Sequence, residues 1–91
     1  MVDVRVPAPL RAHTGGEKVV RGDGGTVAEL LEDLTRQFPG IKTGLFDPSS
    51  GELRRFVNVY VDGEDARRLA GLDTPVPAAA EVRIVPSVAG G

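Results

Sequence analysis

Gly90 and Gly91 close the sequence directly after the apolar run Val82-Arg83-Ile84-Val85-Pro86, so its final chemical group is an α-carboxylate on a stem almost free of side chains. Glycine lacks a Cβ, and a Gly-Gly end can take extended or left-handed backbone and enter a slot too narrow for other residues. A carboxylate presented this way can be handed to another enzyme's active site. Gly91 is therefore the expected reactive residue, and Ser87, Val88, Ala89 and Gly90 the expected tail that threads a partner's channel. Side-chain chemistry is poorly provided for. Cysteine is absent, which removes disulfides, thiol nucleophiles and thiolate metal ligands. The single histidine, His13, has no clustered acids around it, so a structural place in a loop is expected and no metal site. No bound cofactor is expected either, and the chain reads as a substrate for other enzymes rather than as a catalyst.

Composition narrows the setting. Ninety-one residues make one domain, and with 41% hydrophobic but only 4% aromatic residues its core must come from Val, Leu, Ile and Ala. A net charge of −2 with interspersed signs offers no basic field for a phosphate backbone, so nucleic acid is not an expected partner. Neither a signal-peptide pattern nor an apolar run of membrane-spanning length is present, and a soluble, cytoplasmic protein with no membrane association is expected.

These residues imply an alternating order of strands and helix. Val2, Val4 and Val6 alternate with Asp3 and Arg5, the period-2 pattern of a strand over 2–6 that Pro7 and Pro9 end. Beyond Gly15-Gly16, the segment 17–21 with Val19-Val20 predicts the returning strand of a hairpin. Thr26 and Glu29 form a capping box, and Val27, Leu30, Leu31, Leu34 and Phe38 follow helical spacing, which predicts an amphipathic helix over 27–37 that Pro39-Gly40 ends. Ile41, Leu45 and Phe46 predict one buried helical turn. The segment 53–61 reads as the strongest strand, with Val57, Val59 and Val61 facing the helix and Phe56, Asn58 and Tyr60 opposite. Asp62-Gly63 is a favoured hairpin turn with a short edge segment over 64–68, and a last strand runs through Val82–Val85 to Pro86.

One helical stripe and four to five strands give an α+β class, a mixed sheet packed on one main helix in the β-grasp order. First and last strands would pair in parallel at the sheet centre. The expected organisation is a domain over 1–86 and a flexible C-terminal tail over 87–91.

On the outer face, Phe56, Tyr60 and Val85 form an expected partner interface, although outward aromatics also serve simply as cross-strand pairs. Arg54, Arg55, Arg67 and Arg68 could meet an acidic partner, with solvated surface charge the blander alternative. Asp47-Pro48-Ser49-Ser50 reads as turn chemistry, and Asn58 as a hydrogen-bonding group for an edge or loop.

Across nearly its whole length the sequence resembles the ubiquitin-like sulfur-carrier (ThiS/MoaD) family of thiamine, molybdopterin and cysteine synthesis. The likeness is to the carriers of protein-thiocarboxylate cysteine synthesis, through residues 10–16 (LRAHTGG), 47–50 (DPSS), 55–61 (RFVNVYV) and the ending Val88-Ala89-Gly90-Gly91. What the resemblance implies is a cycle performed by partners. An adenylating, sulfur-transferring enzyme of the ubiquitin-activating type, using ATP and Mg²⁺, converts the Gly91 carboxylate to an acyl-adenylate. Sulfide or a persulfide displaces AMP, and the resulting thiocarboxylate gives its sulfur to an acceptor synthase, with a metalloprotease releasing the product. The same resemblance leaves open the small subunit of molybdopterin synthase and a ubiquitin-like modifier that forms isopeptide bonds.

Overall fold

The structure, a computed structural model, describes residues 1–86. Strand β1 (Val2–Arg5) buries Val2 and Val4 and exposes Asp3 and Arg5, as the alternation requires. It pairs antiparallel with β2 (Val19–Gly22), in the register Val4 opposite Val20. β2 begins later than the sequence pattern implies because Glu17 is held in a turn: its N–H donates to Thr14 O at 3.2 Å, and its carbonyl accepts the buried Thr14 hydroxyl at 2.9 Å. Between the two strands, Ala8–His13 coils as a 3-10 helix.

Helix α1 (Val27–Gln37) has the predicted bounds. Thr26 Oγ1 accepts the Glu29 N–H at 3.2 Å, while the Glu29 carboxylate reaches one residue further back than a simple capping box and accepts the Gly25 N–H at 2.8 Å. At the other end Phe38 leaves the helix at φ −131°, as the residue before Pro39 must. Val27, Leu30, Leu31 and Leu34 are buried, each contributing about 1.5–3 kcal/mol by removal from water. The turn predicted around Ile41 and Leu45 exists as Pro39–Ile41 followed by α2 (Lys42–Leu45), with both apolar residues buried.

β3 (Val57–Val61) directs Val57, Val59 and Val61 into the core. Asp62 and Gly63 both take positive φ, 50° and 84°, the type I′ turn that matches strand twist, and β4 (Glu64–Asp65) returns for two residues. Segment 71–80 is laced onto the start of α1 by Val27 N–H to Thr74 O at 3.0 Å and Val76 N–H to Gly25 O at 2.9 Å. β5 (Glu81–Pro86) then runs up the middle of the sheet, parallel to β1 and antiparallel to β3, in the order β2-β1-β5-β3-β4. The parallel pairing of β1 with β5 is reached by a crossover that includes α1, and one layer of sheet covers one main helix.

One strand prediction is corrected. The strand expected over 53–61 starts only at Val57, because the backbone groups it would need are already engaged. Leu53 bridges Phe46, the Arg54 N–H donates to Leu45 O at 2.8 Å, and the Val57 N–H closes a turn on Arg54 O at 3.0 Å. The carbonyls of Arg54 and Arg55 accept the Arg67 guanidinium at 2.6 and 2.7 Å. Among the described residues no helix is long and apolar enough to cross a membrane.

Candidate functional site

β5 ends at Pro86, opposite Val57 of β3, and the strand that leads to it is held by five residue pairs on the β3 side and, over Glu81, Val82 and Arg83, three on the β1 side. Central placement makes this root rigid: Val82 and Ile84 are buried beneath it, against Val59 and Val61. Gly91, with Ser87, Val88, Ala89 and Gly90, lies outside the described residues.

Tyr60 and Val85 do come together. They are diagonal neighbours on the outer face, since Tyr60 pairs with Arg83 and Asn58 with Val85, and both line a shallow concavity shared with Gly63, Glu81 and Arg83. The surrounding face is ionic. Arg21 meets Asp3 at 3.1 Å, and Glu81 lies 3.5 Å from Arg83 and 3.9 Å from Arg5, all well exposed pairs worth little individually.

Phe56 is not part of that face. In the turn that precedes β3, it is 42% exposed and lines a separate groove of about 250 Å³ together with Pro7, Pro9, Leu10, Ile84 and Pro86. The expected trio is thereby split, because the backbone turns before Phe56 instead of continuing as strand. Arg67 locks the turn: besides the two carbonyls, its Nη1 donates to Asn58 Oδ1 at 3.0 Å, which is the partner Asn58 needed. Arg54 is likewise engaged, its Nε donating to Thr43 O at 2.7 Å and its guanidinium carbon lying 5.9 Å from the Phe56 ring centre. Two of the four arginines expected as loose surface charge therefore build the loop. Sequence reasoning missed this grouping: Pro7 and Pro9 read only as strand terminators, and Leu10 only as part of the 10–16 motif that carries the resemblance.

The profile of the ThiS family matches residues 4–91, a span that runs through both terminal glycines. This chain belongs to the ThiS family. Its fold is the ubiquitin-like β-grasp implied by the element order. Over 91 residues the ThiS-family chain is 47% identical to the sulfur carrier protein CysO of Mycobacterium tuberculosis, with 99% of this chain and 98% of that protein covered. It also superposes on a chain from the crystal structure of the Amycolatopsis orientalis BexX/CysO complex at a TM-score of 0.91 and 44% identity, covering 100% of both chains. The solution structure of small archaeal modifier protein 1 from Methanosarcina acetivorans matches at a TM-score of 0.87 and 29% identity, over 99% of this chain and 95% of that one.

The remaining polar candidates of this ThiS-family member are structural. His13 packs its ring against Gly40, where a Cβ would stand 2.5 Å from Nδ1. Asp47 closes an Asx-turn, its Oδ1 accepting the Ser49 hydroxyl at 2.6 Å and the Ser49 N–H at 2.8 Å. Those bonds, the hydroxyl first, hold the Asp47 carboxyl below its ordinary value of 3.8. Asp33 is lowered too, first by the Asp23 N–H at 2.9 Å and then by the Gln37 amide at 2.8 Å.

Both carboxyls are more acidic in the folded chain than in the unfolded one. Their stabilisation is therefore complete above the unfolded value and lost as pH falls through the lowered folded values. Thermal melts recorded from about pH 6 down to about pH 2 should show the melting temperature dropping at the acid end, with a shallower drop in the Asp33→Asn, Asp47→Asn double variant. An equally steep acid limb in that variant would contradict the assignment.

Proposed function

We propose that this chain is a sulfur carrier serving cysteine synthesis, and that its reagent is the Gly91 carboxylate. Support comes above all from the whole-length likeness to the CysO sulfur carrier, continuous through the glycines at the end of the matched span. A carboxylate resists nucleophilic attack because its carbonyl carbon is electron-rich and oxide is a very poor leaving group. Attack of the carboxylate oxygen on the α-phosphorus of ATP makes the Gly91 acyl-adenylate and expels pyrophosphate. ATP and Mg²⁺ are held by the activating partner, whose cationic groups stabilise the phosphates as charge shifts. Attack by sulfide then expels AMP and leaves a thiocarboxylate directly. A persulfide instead expels AMP to leave an acyl disulfide that a thiol of the partner cleaves, becoming a disulfide itself and freeing the thiocarboxylate. The ionised sulfur of that thiocarboxylate can attack an activated acceptor in a second partner. The domain over 1–86 supplies recognition and a rigid root, and residues 87–91 the reach.

The observation that suggests protein partners is the BexX/CysO complex of the Amycolatopsis relative. A second reading, a protein modifier whose carboxylate becomes an isopeptide on lysines, is favoured by the likeness to small archaeal modifier protein 1. Intact-protein mass spectrometry of the chain isolated from its own host separates them. A mass gain of one oxygen exchanged for sulfur is the expected result. Branched lysine adducts would establish the modifier, and an unaltered mass in every growth condition would end the carrier reading.

A further inference from the structure

Two surfaces flank Pro86, and any enzyme that encloses residues 87–91 must press against at least one of them. Five residues reach about 17 Å at full extension, so the mouth of the receiving channel sits close to the Pro86 ring. The outer face offers Tyr60 and Val85 inside a frame of charged groups, Asp3, Arg5, Arg21, Glu81 and Arg83, already paired with one another. Covering it would desolvate those ions for little apolar gain. The groove at the end of the sheet differs in kind. Phe56, Pro7, Pro9, Leu10 and Pro86 give it an apolar wall drawn from three separated segments, and Arg54 stands at its rim. Among the described residues, the two Nη atoms of Arg54 donate to nothing, because only Nε is spent on Thr43.

We propose, resting on the sulfur-carrier reading, that this groove seats an apolar side chain from the rim of the activating enzyme's channel, with a neighbouring carboxylate of that enzyme received by Arg54. The volume suits one aliphatic or aromatic side chain, and the free guanidinium edge suits a bidentate acid. The Arg67 clamp holds Phe56 in place before the partner arrives, so little ordering is required on binding.

Pyrophosphate release by the ATP-dependent activating enzyme of the same organism, titrated with this chain, tests the assignment. Phe56→Glu and Pro9→Glu should each raise KM about tenfold or more with kcat little changed, the pattern of lost docking rather than lost chemistry. Phe56→Leu should recover most of the effect, and Val19→Glu, on the edge strand β2 outside the groove's lining and 40% exposed, should leave KM unaltered. Added salt should raise KM for the unmodified chain and less so for Arg54→Gln. Both residues substituted by Glu are exposed, and the two variants report on the groove independently should one fail to fold. An unchanged KM in Phe56→Glu and Pro9→Glu, or a rise confined to Tyr60→Glu, would overturn the groove as the docking seat. Absence of any ATP-dependent pyrophosphate release from the unmodified chain would sink the carrier reading and this inference with it.

Discussion

Removing Gly90 and Gly91 is expected to lower thiocarboxylate formation by about a hundredfold or more while leaving the melting temperature where it was. Among the described residues the buried apolar core runs from Val2 to Ile84, and the sheet ladder ends at Pro86, so the loss lies beyond what holds the domain together. The truncated chain would still end in a carboxylate, that of Ala89, but displaced by two residues and bearing a methyl group beside the reacting carbon. A shift of even 1 Å from the in-line position for adenylation costs on the order of a hundredfold, and two residues are several times that. Gly90→Val should behave similarly for a different reason, since a branched Cβ cannot follow glycine into a narrow channel. Mass spectrometry after incubation with the activating enzyme, ATP and sulfide reads the outcome. A truncated chain that gains sulfur as fast as the full one would show that the terminus is idle.

The second large effect concerns stability. Gly24→Ala is expected to destabilise the fold by about 3 kcal/mol, lowering the melting temperature on the order of 15 °C for a domain of this size. A Cβ at Gly24 would run into the Leu30 backbone nitrogen and stand 2.7 Å from the Glu29 carbonyl carbon and 2.8 Å from the Leu30 Cα. These are helix backbone atoms, fixed by the bond from Leu30 N–H to Thr26 O at 2.9 Å, and they cannot rotate aside as a side chain could. Gly25→Ala is the internal comparison. There the added Cβ meets only the Glu29 carboxylate, at 3.3 Å, and a cost under about 1 kcal/mol is expected. Urea denaturation of the two variants measures the difference directly. Equal midpoints would mean that loop 22–25 does not press on α1 as described.

What the sequence determined by itself is whatever depends on neighbours a few residues apart. The bounds of α1 follow from Thr26, Glu29 and the Phe38-Pro39 step, each acting within four residues. The alternating valines of β1 and β3 chose their buried faces because strand periodicity is local, and Asp62-Gly63 and Asp47–Ser50 carry their own turn geometry. Gly-Gly at the end points to the proposed reagent for the same reason, since missing side chains are visible without a fold. Tertiary structure decided the rest. β-Propensity alone favoured strand through residues 53–56, and it was overruled by Arg67, whose donors come from more than ten residues away. Nothing local distinguishes Gly24 from Gly25; only the approach of α1 does. The groove exists because the central pairing of β5 brings Pro86 beside Phe56 and the segment 7–10, groups far apart along the chain. Contacts of that range obey no sequence period, since chain topology, and not spacing, brings them together.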